Sequence, residues 1–210
     1  MDTEWFMNML KKLCVILTVL AVFPRYPSVA SDPTRPQWDA RTLAPFVVPK
    51  VLDQELRQYR QQWVRVTNLE QSALHWNQAV VLYMNQGIAQ YRSNYAQQRQ
   101  MADGEQPSDP TQQGFAAYPS GTVLLKENYL LAPGVAPQPA SVTVMLKREG
   151  GYDPAMGDWQ FLQFDPAGNL LVNGNSRTPQ VDTACAFCHR GMVERDYVFS
   201  TIVPTQGGRP

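Results

Sequence analysis

Downstream of residue 120 the apolar positions of this chain come in short runs: GTVLLKENYLL (121–131), SVTVMLKR (141–148), DWQFLQF (158–164) and NLLVNG (169–174). Runs of that length, continuous or alternating with polar residues, predict strands of an antiparallel sheet. Asp165-Pro166-Ala167-Gly168 stands between the last two. It reads as a turn, because proline presets one dihedral and glycine permits a positive one. Upstream the spacing changes. Leu52, Leu56, Tyr59, Trp63 and Val66 recur at helical steps behind Asp53 and Glu55, which predicts an amphipathic helix from Leu52 to Val66 with Tyr59 and Trp63 in the core. HWNQAVVLYMN (75–85) is β-branched and aromatic, which favours a strand. GIAQYRSNYAQQRQM (87–101) sets Tyr91 and Tyr95 four apart, which favours a helix. ADGEQPSDPTQQG (102–114) is rich in turn formers and reads as a surface loop. Together these elements predict an α+β fold, mostly antiparallel β-sheet with flanking helices, in a single domain.

The first fifty residues follow neither pattern. Lys11 and Lys12 precede an apolar run from Leu13 to Phe23, and Ser28-Val29-Ala30 then fits a cleavage site after Ala30. Residues 1–30 therefore read as a secretory signal peptide. Their apolar run, eleven residues long, is shorter than the roughly 20 that a membrane-spanning helix needs. Such a leader implies export to the periplasm and no stable membrane span after cleavage. Pro33, Pro36, Pro45 and Pro49 mark residues 31–50 as an extended N-terminal segment, since proline confines itself and its predecessor to extended backbone. Residues 51–210 remain as the folded domain.

Charge narrows the function classes. The whole chain carries 18 basic and 18 acidic residues, and without the leader 15 basic and 16 acidic residues remain. No basic run or basic–aromatic stripe supplies the footprint that phosphate binding requires, so no nucleic acid partner is expected. Loss of the leader also removes Cys14, which leaves Cys185 and Cys188. In an oxidising compartment such a close pair tends to form a disulfide unless other chemistry consumes both thiols.

Those cysteines stand in VDTACAFCHRGM (181–192), a C-x-x-C-H pattern completed by His189. This pattern attaches c-type haem: each thiol adds to a porphyrin vinyl group, and the adjacent imidazole coordinates the iron. The spacing has a geometric reason. Residues three apart lie on one side of a helical turn, so both sulfurs reach neighbouring vinyl carbons while the next residue projects its ring toward the metal. Zinc binding and disulfide chemistry are the competing readings. A structural zinc site needs four ligands, and the chain beyond the leader offers Cys185, Cys188, His189 and the distant His75. A redox C-x-x-C opens a helix within a strand-helix-strand unit, a pattern not seen here. What a haem would do depends on its other face: a sixth ligand makes an electron carrier, whereas an open position permits binding and chemistry. His75, Met101, Met145 and Met156 are the candidate sixth ligands, although a buried methionine ordinarily fills core space.

Four stretches in order, YPSGTVLLKE (118–127), MLKREGGYDPAMGDWQF (145–161), CAFCHRG (185–191) and DYVFST (196–201), resemble the cytochrome P-460 family, which includes the cytochromes c′-beta. The resemblance covers roughly residues 75–203 and makes 51–210 a cytochrome P-460-like haem domain. It implies a mostly antiparallel β domain with flanking helices and one covalent haem c, with its iron, per chain. It further implies thioethers at Cys185 and Cys188, His189 as the proximal ligand and an open distal side. Lys126 matches the lysine of the family's G-T-V-x-x-K-E motif, whose side-chain nitrogen is bonded to a porphyrin carbon. Beyond the leader the chain has only Lys50, Lys126 and Lys147. Cross-linking needs a neutral amine, which burial against a porphyrin favours. The alternative is a lysine at a strand end, paired with a surface carboxylate.

The activity that the resemblance implies is redox conversion of a small nitrogen compound, hydroxylamine or nitric oxide, with electrons passing to a soluble redox partner. Hydroxylamine oxidation requires a base for the substrate protons, and active relatives carry a distal carboxylate just before the haem motif. Here Gln180 takes that place, and the nearest carboxylate is Asp182, expected also as a helix N-cap. AVVLYMN lacks the arginine that some relatives place near the distal pocket. Cytochromes c′-beta cap the iron with phenylalanine, and Phe115 is the expected counterpart. A nitric oxide binding protein without turnover and a simple electron carrier are therefore the alternative functions, and a homodimer is the expected assembly.

Overall fold

A strand that is apolar on both faces needs cover on both, and in the run 78–84 every residue after Gln78 is buried. The computed structural model, which describes residues 39, 42, 43, 46, 47, 58–72, 77–104 and 114–205, sets this run inside a seven-stranded sheet. In chain order the elements are α1 (Tyr59–Gln62), β1 (Val64–Arg65), β2 (Glu70–Gln71), β3 (Gln78–Met84), α2 (Ile88–Ala102), β4 (Val123–Ala132), β5 (Val135–Lys147), β6 (Trp159–Phe164) and β7 (Leu170–Gly174). A C-terminal helical stretch follows: α3 (Pro179–Val181), a π-helical turn (Asp182–Ala186), α4 (Phe187–His189) and a 3-10 helix (Arg190–Arg195). The strand order is β1-β3-β4-β5-β6-β7, with β2 also on β3, and all pairings are antiparallel. The α+β architecture expected from the sequence is the one the chain forms.

Successive strand residues face opposite sides of a sheet, so this sheet carries a core on each face. Val81, Tyr83, Leu125, Val144 and Phe164 pack with Tyr59 and Trp63 in the first. Leu43 and Phe46, from the residues ahead of α1, join them. Leu82, Leu124, Met145 and Phe161 form the second with Tyr91 of α2, Val181, Ala186 and Val198. This second core carries the functional side chains.

Two elements differ from expectation. The helix expected to reach Val66 stops at Gln62, and Val64–Arg65 pairs with β3. Trp63 and Val66 remain in the cores; β-branched residues beside an available strand edge favour the ladder over another helical turn. β5 starts at Val135, ahead of the expected strand, and accommodates Pro139 where the register against β4 shifts between Asn128 and Tyr129. The leader at 1–30, the start of the first helix, His75 and residues 105–113 lie outside the described residues. Among the described residues, no helix is long and apolar enough to cross a membrane.

Candidate cofactor site

Lys126 stands on β4 between Leu124 and Asn128 of the same face, with Leu82 of β3 and Thr143 of β5 as its cross-strand partners. Among the described residues, no carboxylate forms an ion pair with it. Burial pushes its pKa down, and the thiol of Cys185 is the group that opposes this. Desolvation favours the neutral amine, the form in which the nitrogen is nucleophilic. The ion pair weighed for Lys126 is made by Lys147, whose Nζ lies 2.5 and 2.6 Å from the two carboxylate oxygens of Asp196.

The C-terminal helical stretch brings Cys185 against the core on that face. Thr178 has extended backbone and Pro179 opens the helix, as suits a residue with preset φ and no N–H to satisfy. Asp182 is therefore inside the stretch, at φ −56° and ψ −47°, and is not the N-cap that the sequence predicts. Its carboxylate instead pairs with Arg190. Gln180 is exposed. Across the π-helical turn, Val181 and Ala186 both reach the second core and Cys185 packs against it. Cys185 is half-buried, Cys188 is exposed, and both are free thiols. Burial pushes the Cys185 thiol pKa up while Lys126 pulls it down.

His189 closes the group. Its ring lies edge-on between Phe161, at 5.4 Å, and Phe199, at 5.0 Å. Nδ1 is 2.6 Å from the carbonyl oxygen of Tyr197. A carbonyl oxygen only accepts, so Nδ1 carries the proton and donates, which leaves Nε2 with its lone pair available to a metal. Burial lowers the His189 pKa to about 4; the bond to Tyr197 opposes that shift, and Lys126 adds to it. The imidazole is thus neutral near pH 7, as a ligand must be.

These donors do not converge on one point. Among the described residues, no group of three or more His, Cys, Asp or Glu side chains is gathered closely enough to hold a metal ion. Two free thiols, an imidazole with Nε2 available and an amine that burial keeps toward its neutral form are the donors that a covalently attached haem calls for, and the residues present fit it.

The remaining expected residues make other contacts. Phe115 is half-buried, with the Arg195 guanidinium 5.0 Å from its ring centre. Met145 and Met156 are buried in the second core, and Met101 is exposed. Sequence reasoning assigned no part to Phe161 and Phe199, which flank His189, or to the carbonyl of Tyr197. DYVFST signalled that this segment matters, but a main-chain acceptor has no residue signature of its own.

A search of the curated proteins finds no match to this chain. A family model described as Cytochrome P460 matches residues 57–200, a span that opens just ahead of α1, well before residue 75. That match includes every strand of the sheet, Lys126, both thiols, His189 and the segment that holds its Nδ1, and the chain belongs to the Cytochrome P460 family of haem proteins.

Proposed function

We propose that this chain is an exported c-type haem protein that converts a small nitrogen compound, hydroxylamine or nitric oxide, by redox chemistry and passes electrons to a soluble partner. The observation that carries the reading is the half-buried, neutral His189: its Nδ1 is committed to Tyr197, and it shares one electrostatic neighbourhood with Lys126 and Cys185. Cys185 and Cys188 would hold such a haem by thioethers, Nε2 of His189 would ligate its iron, and Lys126 Nζ would be the nitrogen bonded to the ring. Haem held there supplies a one-electron redox centre with a distal position for the nitrogen compound. Phe115 caps that side. Gln180 orients a protic substrate through its amide, whereas the Asp182 carboxylate is held by Arg190 and takes no part as a base. The leader read at residues 1–30 and the exported habit of the family support a periplasmic site of action, where thioether formation keeps both thiols out of a disulfide.

Intact mass of the purified protein tests covalent attachment, and the optical spectrum of the reduced protein tests Lys126. A band at the long wavelength that gives the family its name supports the cross-link; an ordinary c-type spectrum counts against it. Steady hydroxylamine consumption with an artificial electron acceptor supports the enzyme. One observation favours the second reading, a nitric oxide binding protein of the c′-beta kind: the carboxylate of Asp182 is engaged by Arg190, and Gln180 offers only an amide. Nitric oxide bound tightly and not consumed would establish that reading. A low-spin, six-coordinate spectrum in both oxidation states would make the protein an electron carrier instead.

A further inference from the structure

The carbonyl that receives the His189 proton is aimed by an uncommon stretch of backbone. Asp196 and Tyr197 are consecutive non-glycine residues with φ of 50° and 64°. The left-handed region is unfavourable for L-residues and most so for bulky ones such as tyrosine, so a pair of them persists only where surroundings over-determine it. Here the surroundings converge on Asp196. Its carboxylate accepts both contacts from Lys147 Nζ and a third bond, at 2.8 Å, from the backbone N–H of Tyr118. Its carbonyl accepts from the indole N–H of Trp159 at 2.8 Å. Lys147 lies 5.0 Å from the centre of that same indole ring. The Lys147 and Asp196 side chains are largely buried, at 12% and 9% exposure. Gly157 completes the seat: a Cβ there would come within 2.6 Å of Asp196 Oδ1 and 2.8 Å of Tyr197 Cδ2.

We infer that Lys147 and Asp196 are a positioning pair for His189, which hold the left-handed turn so that Tyr197 presents its carbonyl to Nδ1. The inference rests on the reading of His189 as the proximal ligand. The pair touches neither the imidazole nor anything bound to it and acts through the peptide between them. A firm acceptor on Nδ1 fixes the tautomer and raises the basicity of Nε2, as outer partners of metal-bound histidines do. Greater basicity strengthens the bond to iron and favours its oxidised state.

The test uses the haem-loaded protein and two readouts other than turnover: the iron–histidine stretching band of the reduced, five-coordinate form and the midpoint reduction potential. Lys147→Met and Asp196→Asn are expected to move the band to lower frequency and the potential upward, and Lys147→Arg is expected to restore both. Leu43→Ala, in the opposite core, serves as the comparison that loses stability without touching this segment. Should Asp196→Asn fail to fold, the Lys147 variants carry the test. Unchanged band and potential in Lys147→Met overturn the inference, as does an equal shift in Leu43→Ala. A wild-type protein that loads haem but has no iron–histidine band overturns the ligand reading and this inference with it; an intact wild-type band that the variants leave unmoved overturns the inference alone.

Discussion

Lys126 and Glu127 are neighbours on β4 and end in opposite cores. Lys126 joins the side that holds Cys185 and His189, whereas Glu127 is fully buried on the other, accepting from Arg60 Nε at 2.6 Å, from the Tyr129 hydroxyl at 2.9 Å and from the Tyr59 hydroxyl. The two-residue repeat of a strand makes one placement depend on the other. A slip of one residue would deliver the carboxylate to the cofactor side and the amine to the tyrosines, so the Glu127 cluster fixes the register that Lys126 needs.

Replacing Glu127 with Leu should therefore be severe. It takes the carboxylate from Arg60 and leaves two buried tyrosine hydroxyls without their acceptor, a loss of about 3 to 5 kcal/mol by comparison with other buried pairs. Denaturant unfolding of the haem-loaded protein measures it. A loss under about 1 kcal/mol, the scale of a surface pair, would show that the cluster does not anchor the strand.

Lys126→Met separates the two kinds of covalent bond to haem. The variant should keep the mass of attached haem, because Cys185 and Cys188 are untouched, and its reduced spectrum should revert to that of an ordinary c-type protein. Intact mass and optical spectrum, taken together, check it. A long-wavelength band that survives the substitution would remove Lys126 from its proposed role.

Acid should act late on His189, the proposed proximal ligand. His189 has a folded-state pKa of about 4 against an ordinary 6.5. Between those values the unfolded chain binds the proton and the folded chain does not. Its contribution to stability is therefore complete above about pH 6.5 and is lost as the pH falls toward about 4. Denaturant unfolding followed against pH should show that loss, with the iron-free imidazole staying unprotonated down to about pH 4. Protonation of the iron-free ring near pH 6.5 would contradict its desolvation.

Gln180 and Asp182 divide the enzyme reading from the binding reading. Asp182→Asn should leave hydroxylamine turnover unchanged, since that carboxylate is already engaged by Arg190. Gln180→Glu should raise turnover by about 100-fold, the lower range of what a positioned base contributes. Consumption of hydroxylamine in the presence of an artificial acceptor measures both. A large fall in Asp182→Asn would instead give Asp182 the part of the base.

The sequence by itself determined the sheet and the spacing of the candidate attachment residues. Alternation and turn residues are local, and they marked β3, β4, β6, β7 and α2 to within a few residues; Cys185, Cys188 and His189 are close along the chain, so their spacing is their geometry. The first helix was legible only in part, because the edge of β3 lies across the fold and claims Val64 and Arg65. Asp182 looked like a cap because it precedes the haem motif, but Pro179 opens the helix a turn earlier.

Only the tertiary structure decided which of two lysines is desolvated and which is paired, for Lys147 meets its partner Asp196 across 49 residues of chain. It also decided the tautomer of His189, since the carbonyl that sets it is main chain and is aimed by two left-handed residues. Burial and acceptor direction arise from how distant segments pack, and residue identity along the chain does not encode them locally.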